Sequence, residues 1–491
     1  MGGFKSFTNI FPITVTCALY RDKNKVPKNG KLLLESQHFP AKSIFELDEY
    51  DNMSSEDILE ALCENDDGFS KLYQHDPDYL ISKHYFVIEP CETAFTLDVE
   101  PISYPDKCEL KQLHLLTRHG SRYPDAPVIL AMDQLEKVFA NVSVAREWHK
   151  NPFPMERNYQ LLPRGEIEPY YDGKQSILRY NKFWKNYKKI TGRYDPEVVK
   201  FQAGAYARCG ASAMAFSEGL FNGDGPLDTC KNQPVYVWNI PADQDNIIEM
   251  YNNCLLANET VLDNNPTYDE QKYIYGNKTL KPIADRMTND YGIYPPLDPN
   301  LVPSIFYACQ FWVLHFNRTD AWCSLLSEHD IIRSIYFFDM TNYYKFSYGN
   351  PLNERLGCVY YTQLVNSVYD FLNGNSIMVA DLKNGHWHTM YAVLTTLGVA
   401  RNPYPLTANL TLSQIKRLKY TLGKSIYLSS TIYFEIYTCS DSPKVRIVLN
   451  FEPLLIPGCE SEYCEWSTFK EILGDKIGCD FNKLCKNPKK P

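Results

Sequence analysis

Positive charge is in short supply in this 491-residue chain: 50 Lys and Arg stand against 59 Asp and Glu, for a formal net charge of −9. Nucleic acid and anionic membrane surfaces are held by basic faces, so neither is expected as the main partner. A phosphorylated small molecule is not excluded, because a local arginine cluster can hold one inside an acidic protein. Long apolar runs are also lacking; none approaches the ~20 residues of a membrane helix, and no transmembrane segment is expected. There is no P-loop, no G-x-S-x-G and no dinucleotide fingerprint, so nothing implies a cofactor. No pair among the 15 cysteines has C-x-x-C spacing, which weakens redox and zinc-ribbon readings. Internal repeats and low-complexity tracts are absent as well. With 44% hydrophobic and 14% aromatic residues, the chain is able to bury a large core and disorder is not expected.

The cysteines themselves point to disulfides in an oxidising compartment. Cys309 and Cys323, Cys459 and Cys464, and Cys479 and Cys485 are close in sequence, and the first two pairs are expected as bridges from their short spacing. The odd count leaves at least one thiol over, with Cys17 the natural candidate if the N-terminus is removed. Sequons at Asn52, Asn141, Asn258, Asn277, Asn317 and Asn409 suit a secreted glycoprotein. Lys5 precedes the short apolar run Ile10–Leu19, which resembles a signal peptide over residues 1–18, its quality lowered by Pro12 and several threonines. The C-terminus carries no ER-retention tetrapeptide. Secretion, or the lumen of the secretory pathway, is the expected location.

The stretch richest in chemistry is Arg118-His119-Gly120-Ser121-Arg122-Tyr123-Pro124. It comes after Leu110–Thr117, which alternates apolar and polar residues and then turns wholly apolar, as a strand entering a buried sheet does. Ligands of open α/β sheets bind beyond the carboxyl ends of strands. Two guanidiniums there form a permanently charged fork suited to phosphate, and the imidazole between them is a candidate nucleophile toward phosphorus.

R-H-G-x-R-x-P resembles the signature of the histidine acid phosphatases, the branch that includes phytases. Cys108-Glu-Leu-Lys-Gln-Leu before it, and Trp322-Cys323, Tyr348-Gly349 and Gly385-His386 after it, are most similar to the multiple inositol polyphosphate phosphatases. Roughly residues 80 to 485 can be laid along that pattern. The resemblance implies a phosphomonoester hydrolase acting on inositol polyphosphates or related small phosphates through a phosphohistidine, without cofactor or metal. It assigns the nucleophile to His119, phosphate binding to Arg118, Arg122, Arg208 and His386, and a disulfide to Cys108 and Cys439.

One departure bears on the chemistry. Phytases carry an aspartate directly after the second histidine, and the inositol polyphosphate enzymes a glutamate two places after it; this acid protonates the leaving alkoxide. Here Trp387 and His388 occupy those places. Two readings stay open: His388 serves as a surrogate acid, making it a second catalytic residue, or the acid is lost and the chain is a slow enzyme or a secreted phosphate-binding, interaction or storage protein. His386 and His388 also have metal-ligand spacing, but neighbouring arginines would repel a cation and the sequence suggests no third ligand. A lesser departure is Trp312 after Cys309-Gln-Phe311, where the family often has a glutamate; a core aromatic is the expected reading.

Expected strands are Leu110–Thr117, Pro196–Phe201, Ser376–Leu382 and an antiparallel pair at Thr431–Tyr437 and Val445–Phe451. Expected helices include Pro127–Phe139, Tyr170–Tyr187, Cys209–Phe221, Asp330–Lys345, Leu356–Leu372 and Thr389–Leu397. Alternating strands and helices with a helical insertion predict a layered α/β sheet domain of the histidine phosphatase type with a second, mostly helical lobe. Its expected bounds are an extension over 1–80 and a phosphatase domain over 81–485. Within that domain the core spans about 81–125, 190–230 and 330–485, and the lobe about 126–189 and 231–329. A site between the two is the default.

Overall fold

The structure, a computed structural model, describes residues 101–486 apart from 103, 192–193, 222–234 and 441. The extension over 1–80, its leader and Cys17 lie outside the described residues.

The core is a mixed sheet in the order β3-β2-β4-β1-β5-β6-β7. Its strands are β1 (Cys108–Arg118), β2 (Val199–Ala203), β3 (Val237–Asn239), β4 (Ala380–Gly385), β5 (Thr431–Cys439), β6 (Pro443–Leu449) and β7 (Glu452–Leu454), with β8 (Cys464–Glu465) pairing β6. The half containing β3, β2, β4 and β1 is parallel; β5 runs antiparallel to β1 and starts a meander. Registers align Arg118 with Gly385 and Ala203 with Asn384. Three parallel strands therefore end side by side, and the segments leaving them emerge along the same edge of the sheet. The short strands β3, β7 and β8 were not expected from sequence, and the strand expected over Ser376–Leu382 begins only at Ala380.

Side chains alternate across the sheet, so each strand serves two layers. On one face Leu113, Leu115, Phe201, Leu382 and Tyr433 meet Tyr180, Phe183, Trp184, Phe216 and Leu220. Tyr180 lies between two helices, Phe183 and Trp184 are on α3, and Phe216 and Leu220 are on α4, the helices being numbered from Ala126–Phe139 (α1) through Pro163–Arg179 (α2) and Asn181–Thr191 (α3) to Ala207–Phe221 (α4). On the other face Phe434 of β5 meets Tyr360 and Tyr361 of α9 (Cys358–Leu372), and Tyr361 meets Phe469 of α11 (Trp466–Leu473).

The single helix expected over 170–187 is two, α2 and α3, divided at Tyr180, whose φ of −100° and ψ of 34° leave the helical region. Although read with the helical lobe, α3 covers the sheet. Conversely, α4 gains its closest contact from a helix: a Cβ on Gly219 would lie 1.9 Å from the Tyr170 carbonyl of α2.

Between β3 and β4 the chain builds α5 (Pro266–Tyr275), α6 (Lys281–Tyr291), α7 (Val302–Phe316) and α8 (Glu328–Phe346), then α9; α10 (Trp387–Leu397) comes after β4. Ser327 and Asp330 form a reciprocal capping box at the start of α8. Trp312 of α7 is a core aromatic, packed on Phe153, Phe316 and Trp322.

Five disulfides join described residues: Cys108–Cys439, Cys254–Cys485, Cys309–Cys323, Cys358–Cys479 and Cys459–Cys464. The three expected bridges are among them. Cys479 and Cys485, neighbours in sequence, each pair with a distant partner. Cys209 is buried and free.

Candidate active site

The turn after β1 is held by backbone sterics. A Cβ on Gly120 would fall 1.9 Å from the Gly165 carbonyl oxygen, and one on Gly165 would fall 2.0 Å from that of Ser121. Two hydrogen-bonding helices then clamp the turn. The Gly120 amide donates to Ser212 Oγ of α4 at 3.0 Å, and the Ser121 amide and hydroxyl both donate to Glu168 of α2 at 2.7 Å.

His119 is buried, and its amide donates to the Gly385 carbonyl at 3.0 Å, tying the end of β1 to the end of β4. Its Nδ1 is 2.9 Å from the Gly120 carbonyl oxygen. A carbonyl can only accept, so Nδ1 carries the hydrogen and Nε2 keeps its lone pair. Burial first, then Arg118, Arg122, His386 and Arg208, hold the imidazole well below its ordinary pKa. These surroundings favour the neutral imidazole with a free ring nitrogen, the form a nucleophile needs.

Arg118, Arg122 and Arg208 converge on it. Arg118 donates one nitrogen to the Ile426 carbonyl at 3.1 Å. Arg122 donates to the Tyr123 carbonyl at 2.8 Å and pairs with Asp125 at 3.4 Å, the residue that also caps α1. Arg208, at the start of α4, stacks on Tyr206 at 4.5 Å and on Tyr159 at 5.1 Å, and Arg122 lies over the same Tyr159 ring at 5.1 Å. The Nε atoms of Arg118 and Arg208 are buried with no hydrogen-bond partner among the described residues. Burial and the neighbouring Arg122 press on the charge of Arg118, pushing its pKa down to about 9. Since a guanidinium keeps its proton, such a cluster is relieved by an anion. Tyr307 of α7 shares the fields of Arg122 and Arg118, so the helical segment reaches the site.

His386 comes directly after β4 and faces His119, ring centroids 5.6 Å apart. It is the N-cap of α10. Burial, then the three arginines, push its pKa down to about 3. His388 lies 5.0 Å from His386 between ring centroids; burial, then His386, holds it near about 3 as well. Its Nδ1 is buried and unpartnered. All six residues singled out from sequence therefore surround one locality.

Two residues there were not found from sequence. Tyr159 shares its face between Arg122 and Arg208, with a left-handed φ of 61° uncommon for a bulky residue. Glu249 is fully buried, with Oε1 2.8 Å from His386 Nε2. Together Glu249, His386 and His388 offer ligand atoms within 4.8 Å of one another. A third ligand for a cation thus exists where the sequence suggested none. Arg208 imposes its charge on all three, so the surroundings favour an anion. No helix among the described residues is long and apolar enough to cross a membrane.

Residues 109–450 match the family model described as the histidine phosphatase superfamily, branch 2. Among curated proteins, multiple inositol polyphosphate phosphatase 1 of Dictyostelium discoideum is 24% identical, covering 78% of this chain and 69% of that protein. Phytase A of Aspergillus oryzae is 23% identical, covering 79% and 86%. Among solved structures, the phytase from D. castellii superposes with a TM-score of 0.65 at 17% identity, covering 84% of this chain and 88% of that one. The multiple inositol polyphosphate phosphatase of Bifidobacterium longum, complexed with inositol hexasulfate, gives 0.61 at 13% identity, covering 82% and 98%.

Proposed function

The chain belongs to the histidine phosphatase superfamily, branch 2, and on that premise we propose that it hydrolyses phosphate monoesters, inositol polyphosphates foremost, through a phosphohistidine on His119. One observation carries the reading: His119 keeps a free Nε2 beside three converging guanidiniums. Arg118, Arg122 and Arg208 neutralise the non-bridging oxygens, and His386 completes the phosphate clamp. The unpartnered Nε–H donors of Arg118 and Arg208 are suited to phosphate oxygens. His119 Nε2 attacks phosphorus in line, the alcohol leaves, and water then cleaves the N–P bond, so one hard displacement becomes two easier ones. The names of the relatives support inositol polyphosphates as the substrate class.

The reading extends to a secreted glycoprotein with an N-terminal extension over 1–80 and a phosphatase domain over 81–485. Five disulfides support an oxidising compartment. Asn141, Asn277, Asn317 and Asn409 are exposed, as acceptors of glycans must be.

The test is hydrolysis of inositol hexakisphosphate and of an aryl phosphate across pH 4 to 8. Turnover of both, lost in His119→Ala, is expected. Turnover of neither, with inorganic phosphate still bound, would make the chain a receptor.

A further inference from the structure

Expelling an alkoxide from phosphorus requires a proton on the departing oxygen. Trp387 has no acidic group, and His388 is a neutral imidazole over the working range. A carboxyl arrives instead from a distant segment. Asp245 accepts from the amides of Ile247 and Ile248, and the turn it shapes carries Glu249 inward. Thr389 of α10 anchors that turn on the Ile248 carbonyl at 2.6 Å. Glu249 Oε1 meets His386 Nε2 at 2.8 Å, and Oε2 accepts from Asn252 at 2.6 Å. Gly204, just past β2, leaves room for it: a Cβ there would sit 3.1 Å from Oε1.

We propose that Glu249 is the proton source for the leaving alcohol, acting through His386. The proposal rests on the phosphatase reading above. As the His119 Nε2–P bond forms and the ester P–O bond breaks, His386 gives its Nδ1 proton to the departing oxygen and takes the Glu249 proton on Nε2. The alcohol leaves neutral and Glu249 becomes a carboxylate. In the second step water attacks phosphorus, His386 Nδ1 takes a proton from it, Nε2 returns its proton to Glu249, and the N–P bond breaks. Glu249 is therefore a positioning residue, fixing the tautomer of His386 and storing the proton.

The groups acting on Glu249 are compatible with this role. Burial raises its carboxyl pKa, against the opposing pull of His388, Asn252 and Arg208. It also shares fields with Asp245 and Cys209. The depressed basicity of His386 and the upward shift of the Glu249 carboxyl both favour the shared proton on the carboxyl.

Glu249→Gln, Glu249→Asp and His388→Gln are compared on inositol hexakisphosphate and an aryl phosphate, whose good leaving group needs little acid assistance. Glu249→Gln is expected to lose roughly 100-fold or more in kcat on the alkyl substrate and far less on the aryl one, with inorganic phosphate binding retained. Glu249→Asp is expected to recover part of the alkyl activity and to displace its basic pH limb alone. Equal losses on both substrates, an unchanged alkyl rate, or an alkyl-selective loss in His388→Gln instead would overturn the proposal. If Glu249→Gln does not fold, Glu249→Asp decides: unmoved pH profiles on both substrates overturn it. A wild-type chain inactive on both substrates fails at the earlier reading; one active on aryl phosphate only keeps His119 and sinks the role of Glu249.

Discussion

Gly120 and Gly165 touch backbone to backbone, so closely that a Cβ on Gly120 would overlap the Gly165 carbonyl oxygen at 1.9 Å. The contact explains why glycine stands after His119: the turn must lie flat against the start of α2 to aim the imidazole at the ends of β4 and β2. Gly165→Ala, whose Cβ would meet the Ser121 carbonyl oxygen at 2.0 Å, is expected to destabilise the fold by about 1–3 kcal/mol. It should also depress turnover beyond what the stability loss explains, because the clash is transmitted to His119. Denaturant titration alongside kcat measures both; an alanine variant of full stability and activity would contradict this.

Arg208 is held by stacking on Tyr206 and Tyr159 and leaves its Nε unpaired. Arg208→Ala is expected to lower kcat/KM by roughly 100- to 1000-fold. Arg208→Lys should recover little, because an ammonium offers neither the planar fork nor the stacking face. Steady-state kinetics on inositol hexakisphosphate decide it; full rescue by lysine would show that only charge matters.

Asp172 of α2 is buried and accepts a hydrogen bond from Ser429. Burial lifts its carboxyl pKa to about 7, with Ser429 opposing. The folded pKa lies above the unfolded one, so the native state holds a proton that the unfolded chain releases, from the ordinary carboxylate range near 4 up to about 7. The stability this group contributes is complete below that window and is lost as pH rises through it. Asp172→Asn, which cannot ionise, is expected to flatten the fall in Tm between pH 5 and pH 8. Parallel pH curves for variant and parent would refute the assignment.

How much could be read from sequence depends on the range of the interactions concerned. The turn at Arg118–Pro124 is local: a strand pattern, a glycine and two arginines within seven residues. The cores of β1 and β5 were legible because burial on both faces leaves mostly apolar runs, whereas β4, with Asp381, Lys383 and Asn384 buried, was placed too early, and β3, with Trp238 and Asn239 exposed, leaves no such trace. The break at Tyr180 was hidden because apolar periodicity continues through it. Cys254–Cys485 and Cys358–Cys479 bring together segments 231 and 121 residues apart, which spacing cannot reveal. Glu249 illustrates the same limit at the site. Its chain neighbours Ile247, Ile248 and Met250 show only an apolar stretch; that the carboxyl is buried on His386 depends on a turn and on Gly204, contributed from elsewhere. The sequence showed only that the carboxylate is absent at 387 and 388, leaving open whether His388 serves in its place or the acid is lost.

The central claim is that His119 Nε2, left free by the bond from Nδ1 to the Gly120 carbonyl, bonds covalently to phosphorus. Rapid-quench mixing with a ³²P-labelled phosphate monoester tests it most directly. The account predicts an acid-labile, alkali-stable phosphoenzyme that appears within one turnover and vanishes in His119→Ala. Hydrolysis proceeding at the parent rate in His119→Ala, or label trapped on another residue, would contradict it.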